Sequence, residues 1–356
     1  MEAVIESFKN LKMDLTIPDN GLLIAYISIW IMAIVPIYIG SFLSLKETKS
    51  ESMSMSDAYT FPIIGSVFLF GLYLCFKFFD KDLINLILSY YFLLIGAFAM
   101  TNVLSSLFKY VLVGSSGNGK NKKQKEVKPL ISFKIPTIKF ITDAKDVKID
   151  IYEIVSFIIA AGFSLWYIKT KHWIANNIFG LTFSIQGISF ISLSEYSVGV
   201  MLLVGLFFYD IFWVFGTDVM VTVAKSFDAP IKLLFPKDIF ADVYQFSMLG
   251  LGDIVLPGIF IALLLRFDRH IHQESKSKGP MKKTYFNSTL IAYALGLFTT
   301  IFVMHTFKAA QPALLYLVPF CVGSSMIVSA FKGQFKKLLW SNLDPTDKTV
   351  QTKKTN

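Results

Sequence analysis

Two aspartates stand where a carboxylate is expensive. Asp210 is the single charged residue of LFFYDIFWVF (206–215), and Asp253 lies inside LGLGDIVLPG, between apolar runs. Insertion scales place the cost of an aspartate at a membrane-helix centre at roughly 2.5–3.5 kcal/mol. One such residue has ordinary explanations: a polar contact with a neighbouring helix, or a protonated and silent carboxyl. Two at matched depth point further. Asp210 falls about six residues before its segment ends near Gly216, and Asp253 about five after its own begins near Met248. The connection 216–247 makes the two helices antiparallel, so at 1.5 Å per residue both carboxyls lie about 8 Å below the same surface.

Two facing carboxylates in a poorly solvated site share one proton. One takes a proton from water; the other protonates a peptide carbonyl oxygen. That is aspartic proteolysis, and it needs neither metal nor nucleotide. Which residue takes which role belongs to the coupled pair. Intramembrane carboxylates also build proton relays, so a transporter or channel using the same pair stays open on the residues alone.

The rest of the chain must hold these carboxylates in a bilayer. Of its 356 residues 54% are hydrophobic and 17% charged, against about 45–50% and about 25% in soluble domains. Nine apolar segments stand out: Gly21–Leu45, Thr60–Phe79, Leu83–Phe108, Ile151–Ile168, Trp173–Leu193, Val198–Phe215, Met248–Leu265, Ser288–Met304 and Pro312–Phe331. A transmembrane helix needs about 20 mostly apolar residues, so the expected fold is an all-α bundle of nine spans. Residues 1–113 carry helices one to three, 114–150 a lysine-rich connection, 151–331 the catalytic and C-terminal helices, and 332–356 a tail. The first segment reads as a retained span, not a signal peptide.

Basic residues vote on orientation. Of 34 Lys and Arg, 24 lie on the side holding 114–150, 266–287 and the tail, and 10 on the other. The first side is expected to face the cytosol, with the N-terminus lumenal. The net charge of +9 has the same source, since no basic stripe interleaved with aromatics suggests nucleic acid. Cys75 and Cys321, each inside an apolar run, imply no disulfide framework or metal cluster.

Other motifs fail on context. Gly114, Gly119 and Lys120 match part of a phosphate-binding loop, but Asn121 replaces its Ser or Thr and no strand and helix flank it. Gly114–Gly117 reads G-x-S-G, as in rhomboid proteases, yet lies in a charged loop that is expected to be solvated and mobile. His270 and His272 are read as part of a solvated loop; no His-Glu-x-x-His occurs. The sequon at Asn287 falls on the cytosolic side and is expected to stay unglycosylated. The Asp-Thr-Gly and Asp-Ser-Gly triplets of pepsin-like enzymes are absent.

Tyr209-Asp210, Gly250-Leu251-Gly252-Asp253 and QPALLYLVP at 311–319 together resemble the three signatures of the GxGD intramembrane aspartyl proteases. The surrounding GLFFYDIFWVFGTDVMVTVAKSFDAPIKLLFP, MLGLGDIVLPGIFIALLLRFD and HWIANNIFGL bring the likeness nearer to the signal peptide peptidases than to the related presenilins. It covers the C-terminal half closely; over 1–150 it rests on span layout. The resemblance implies catalysis by Asp210 and Asp253, and support or substrate binding by Tyr209, Gly250, Leu251, Gly252, Gln311, Pro312, Ala313 and Leu314. It implies no cofactor, a multi-pass protein of the endoplasmic reticulum membrane, and substrates that are type II transmembrane peptides, including remnant signal peptides. Such proteins can form homo-oligomers and associate with degradation machinery. Lys353 and Lys354 near the C-terminus fit a dilysine retrieval signal. From the residues alone Pro312 reads as a helix-start proline; with the resemblance it is expected to help hold substrate backbone extended, as are Gly250 and Gly252.

Overall fold

The computed structural model describes residues 18–45, 51–113, 131–135, 145–239, 243–275, 279–308, 311–341 and 343. Nine long helices dominate: α1 (Asn20–Ser44), α2 (Met55–Phe78), α3 (Lys81–Phe108), α4 (Ile151–Thr170), α5 (Trp173–Phe190), α6 (Tyr196–Phe215), α8 (Gly252–Glu274), α9 (Thr284–Phe307) and α10 (Leu314–Phe331). α7 (Val219–Ser226) and α11 (Phe335–Trp340) are short. Each apolar segment of the sequence carries one long helix, and local chemistry sets several starts. Ser54 and Asp57 form a reciprocal capping box on α2, while Asp80 and Asp150 accept backbone N–H bonds at the starts of α3 and α4. Such caps satisfy donors that a helix start leaves free.

Seven of these helices are long and apolar enough to cross a membrane; α5 and α8 fall short. The exceptions have a physical cause. α8 packs against α1, α5, α6, α9 and α10, and residues 257–268 along it are buried without a break. A helix shielded from lipid by other helices has no need of an apolar surface, so α8 carries Asp253, Arg266 and Asp268, and α5 carries Asn176 and Asn177. The lipid-facing elements behave oppositely. On α2 and α3, Ile63, Val67, Phe68, Leu94 and Phe98 are exposed, as apolar solvent permits.

The seventh segment departs from expectation. It was expected to be helical from Met248, yet α8 begins at Gly252 and runs on to Glu274. Residues Phe246–Gly250 instead form strand β6, antiparallel to β5 (Lys232–Pro236). The expected loop beyond Leu265 is therefore partly helix. Its Asp268 accepts the N–H groups of Tyr285 and Phe286, capping the start of α9, and His270 lies beside Glu274 at 3.3 Å on α8 itself. The sequon is helical too, with Thr289 buried.

Shorter strands complete the fold. β1 (Glu51–Met53) pairs in parallel with β4 (Ile191–Leu193), and β2 (Ile131–Ile135) antiparallel with β3 (Lys145–Ile149). That second pair lies within the connection read as a solvated loop. The rest of that connection, with its glycine, serine and lysine motifs at 114–121, lies outside the described residues, as do Lys353 and Lys354. Lys109 closes the span of this connection: its Nζ lies 2.6 Å from Asp150 and 3.0 Å from Glu153, tying the end of α3 to the start of α4.

Candidate active site

α6 brings Asp210 to the site through its packing on two sides. Toward α8, Tyr196 meets Phe260 with ring centroids 5.6 Å apart. Toward α2, residues 205, 209 and 213 present one stripe at four-residue spacing. Gly205 meets Pro62, the Tyr209 ring lies against Gly65, and Trp213 Nε1 donates to Ser66 Oγ at 3.1 Å. The stripe sets the rotation of α6 and turns Asp210 inward, where it is buried. Tyr209, one residue earlier, is half-buried, with its ring against α2 and packed on the core.

Asp210 meets α10 next. Its Oδ2 accepts the backbone N–H of Leu314 at 3.0 Å. Leu314 opens the helix, and its N–H is among the donors that a helix start leaves free. Pro312 contributes no N–H, and its carbonyl and that of Ala313 begin the helical ladder. Pro312, Ala313 and Leu314 are all buried. The Pro-Ala-Leu triplet thus aims a helix N-terminus at a carboxylate, an arrangement that favours negative charge there. Gln311 points elsewhere, accepting the hydroxyl of Tyr316 at 3.3 Å.

Asp253 occupies the first turn of α8. It is near enough to Asp210 for the charge on one to act on the other. The tight turn from β6 into α8 delivers it. A side-chain carbon added at Gly250 would lie 3.3 Å from Asp253 Oδ2, so the absence of one gives that carboxylate its room. Gly252 is under no such constraint, since a carbon there would meet Leu256 at 3.9 Å. Leu251 is buried and donates its N–H to Ile231 at 3.0 Å, closing the hairpin base.

The hairpin is anchored on one edge only. Leu251 to Ile231 and Lys237 to Gln245 are hydrogen-bonded pairs. By alternation, the backbone groups of 232, 234 and 236 point away from β6, and those of 246, 248 and 250 away from β5. α5 takes up the first set. Asn177 Oδ1 accepts Leu234 N–H at 2.8 Å and its Nδ2 donates to Leu234 O at 2.6 Å, while Asn176 Nδ2 donates to Lys232 O at 2.8 Å. Close approach is allowed by Gly180, where a side-chain carbon would come 3.0 Å from Leu233. On the other edge, the outward groups of Phe246, Met248 and Gly250 have no partner among the described residues.

These asparagines escaped sequence reading, although two adjacent amides in a mostly apolar segment are themselves a signal, being costly unless partnered. Asn177→Ala is expected to destabilise the fold by about 1–3 kcal/mol, because it strands two backbone groups of Leu234. A lower melting temperature in detergent would show it; an unchanged one would mean that the clamp contributes nothing.

The structure thus sets Asp210 and Asp253 on two packed helices, α6 and α8, with the triplet Pro-Ala-Leu at the start of α10 beside Asp210. The signal peptide peptidase family model matches residues 45–345. The chain belongs to the signal peptide peptidase family. It is 42% identical over 355 residues to the signal peptide peptidase of Mus musculus and 41% identical to that of Homo sapiens, in both cases over 94% of this chain and 87% of the relative. It is also 36% identical to a probable intramembrane protease of Schizosaccharomyces pombe, over 90% of this chain and 96% of the relative. Membership in the signal peptide peptidase family makes the chain a peptidase and a multi-pass membrane protein. The match reaches back to residue 45, well beyond the C-terminal half in which the motifs lie.

Proposed function

We propose that the chain hydrolyses peptide bonds inside the transmembrane segments of type II substrates, remnant signal peptides among them, using Asp210, Asp253 and water. The observation that carries this reading is the convergence of two neighbouring carboxylates with a strand edge that has no partner among the described residues. Phe246, Met248 and Gly250 offer outward N–H and C=O groups just before Asp253. A helical substrate cannot be attacked until it unwinds, and in lipid its freed backbone groups need partners. An extended substrate added to β6 gains them, by strand augmentation. It would then run past Asp253 toward Asp210.

The chemistry needs one proton on the pair. The ionised carboxylate takes a proton from water as the water oxygen bonds to the substrate carbonyl carbon. The protonated one gives its proton to the carbonyl oxygen. Collapse of the tetrahedral adduct breaks the C–N bond, with a proton passing to the leaving nitrogen. Oδ2 of Asp210 holds the Leu314 N–H, which leaves Oδ1 as the face for proton transfer. Non-helical backbone at 246–250 fits a water-filled cavity, where such backbone is tolerated.

The nine helices are read as nine spans, α5 and α8 shielded by the others. The excess of Lys and Arg supports a C-terminus in the cytosol and an N-terminus in the lumen. Residence in the endoplasmic reticulum, self-association and contact with degradation machinery accord with the resemblance. The test is direct. Purified chain in detergent is expected to cut a labelled signal peptide within its apolar stretch, and an aspartyl-protease inhibitor that mimics the tetrahedral intermediate is expected to block it. Absence of cleavage, together with ion flux through reconstituted liposomes, would sink the reading in favour of a proton relay.

A further inference from the structure

Asp253 has a structural peculiarity in its own backbone. In a helix its carbonyl would accept the N–H of the residue four positions on. That residue is Pro257, which lies inside α8 and has no N–H to give. The proline ring also crowds the carbonyl four residues back. The carbonyl of Asp253 is thereby left without a helical donor in the middle of the protein, where a stranded backbone acceptor is costly.

A side chain from another helix replaces the missing donor. Tyr293 of α9 is fully buried, and its hydroxyl donates to Asp253 O at 3.2 Å. We infer that Tyr293 is a positioning residue for the reaction: with Pro257 it sets the orientation of the first turn of α8 and hence of the Asp253 carboxyl. The inference rests on Asp253 being one of the two reacting carboxylates. Two features of the sequence, a proline four residues after an aspartate and a tyrosine forty residues on, thus form one device. The proline frees the carbonyl from the helix ladder, and the tyrosine fixes it against α9. The carboxyl then takes its direction from a neighbouring helix rather than from the ladder of α8 alone.

The test is a cycle of four full-length proteins: wild type, Tyr293→Phe, Pro257→Ala and the double variant. Cleavage of a labelled signal peptide is measured in detergent as separate kcat and KM, with melting temperatures. Tyr293→Phe removes one oxygen and is expected to lower kcat about tenfold while KM stays within about twofold. On the Pro257→Ala background an N–H at 257 is restored, so the same substitution is expected to lower kcat by no more than about twofold. An equal loss on both backgrounds, or wild-type kcat in Tyr293→Phe, overturns the inference. If Tyr293→Phe alone does not fold, a folded and active double variant supports it and an unfolded one overturns it. Activity in Asp253→Asn would instead sink the aspartate-pair reading, whereas full activity in Tyr293→Phe beside an inactive Asp253→Asn would sink this inference alone.

Discussion

Asp210→Asn is expected to reduce peptide cleavage at least about a thousandfold with the fold intact. The side-chain oxygen of asparagine can still accept the Leu314 N–H that now reaches Oδ2 at 3.0 Å, so the contact between α6 and α10 survives. What disappears is the ability to take and return a proton. Because the two carboxylates are proposed to act as a unit, the double variant Asp210→Asn with Asp253→Asn is expected to be no slower than either alone. Asp210→Ala is a useful contrast. It strands the Leu314 N–H as well and should lower stability by about 1–3 kcal/mol in addition to abolishing cleavage. Turnover of a fluorogenic signal peptide and melting in detergent measure both quantities. Retained turnover in Asp210→Asn would falsify the acid–base role.

Met248→Pro is expected to lower kcat/KM at least about tenfold without unfolding the hairpin. The reason lies in strand phase. Residue 248 pairs with 234 at a position where its own N–H points away from β5, so a proline there removes no bond within the β5–β6 ladder. Edge strands tolerate proline in that phase. The substitution removes a donor only from the edge proposed to receive substrate, and the ring obstructs an incoming strand. Ser247→Pro, one residue earlier, acts in the opposite phase. It deletes a ladder bond to Phe235 and buries a misfit, since Ser247 is itself buried, so it is expected to lower the melting temperature. Equal kinetics in Met248→Pro and wild type would show that substrate does not add to β6.

The hairpin also marks where sequence reading fell short. The continuous apolar run from Met248 predicts helix, but a short apolar run does not distinguish buried strand from helix. What decides in favour of strand is a partner: β5 pairs with β6 across 10 to 18 residues of chain, from Pro236 with Phe246 to Lys232 with Gly250, and its far edge is closed by Asn176 and Asn177 on α5. None of these pairings is local. Gly250 and Gly252 looked alike in sequence as small residues near a carboxylate. In the folded chain a side-chain carbon at Gly250 would approach the Asp253 carboxylate, whereas one at Gly252 would meet Leu256 beyond its chain neighbours. His270 and His272 were read as loop residues because charge is dense there, yet α8 continues to Glu274, its polar end held by the ion pair between Glu274 and Lys337 of α11.

By itself the sequence determined a great deal: the membrane class, the placement of the long helices apart from the limits of the seventh, and two aspartates set among apolar residues. Hydrophobic length and the cost of a charge in lipid are properties of a segment alone, so they can be read without neighbours. Tertiary structure decided which donor each candidate catalytic residue meets. That Asp210 accepts the N–H of Leu314, that Tyr293 replaces the donor missing at Pro257, and that the outer edge of β6 has no partner among the described residues all depend on elements far apart in the chain. A hydrogen bond needs its partner within about 3 Å and correctly aimed, and packing of the whole bundle sets that.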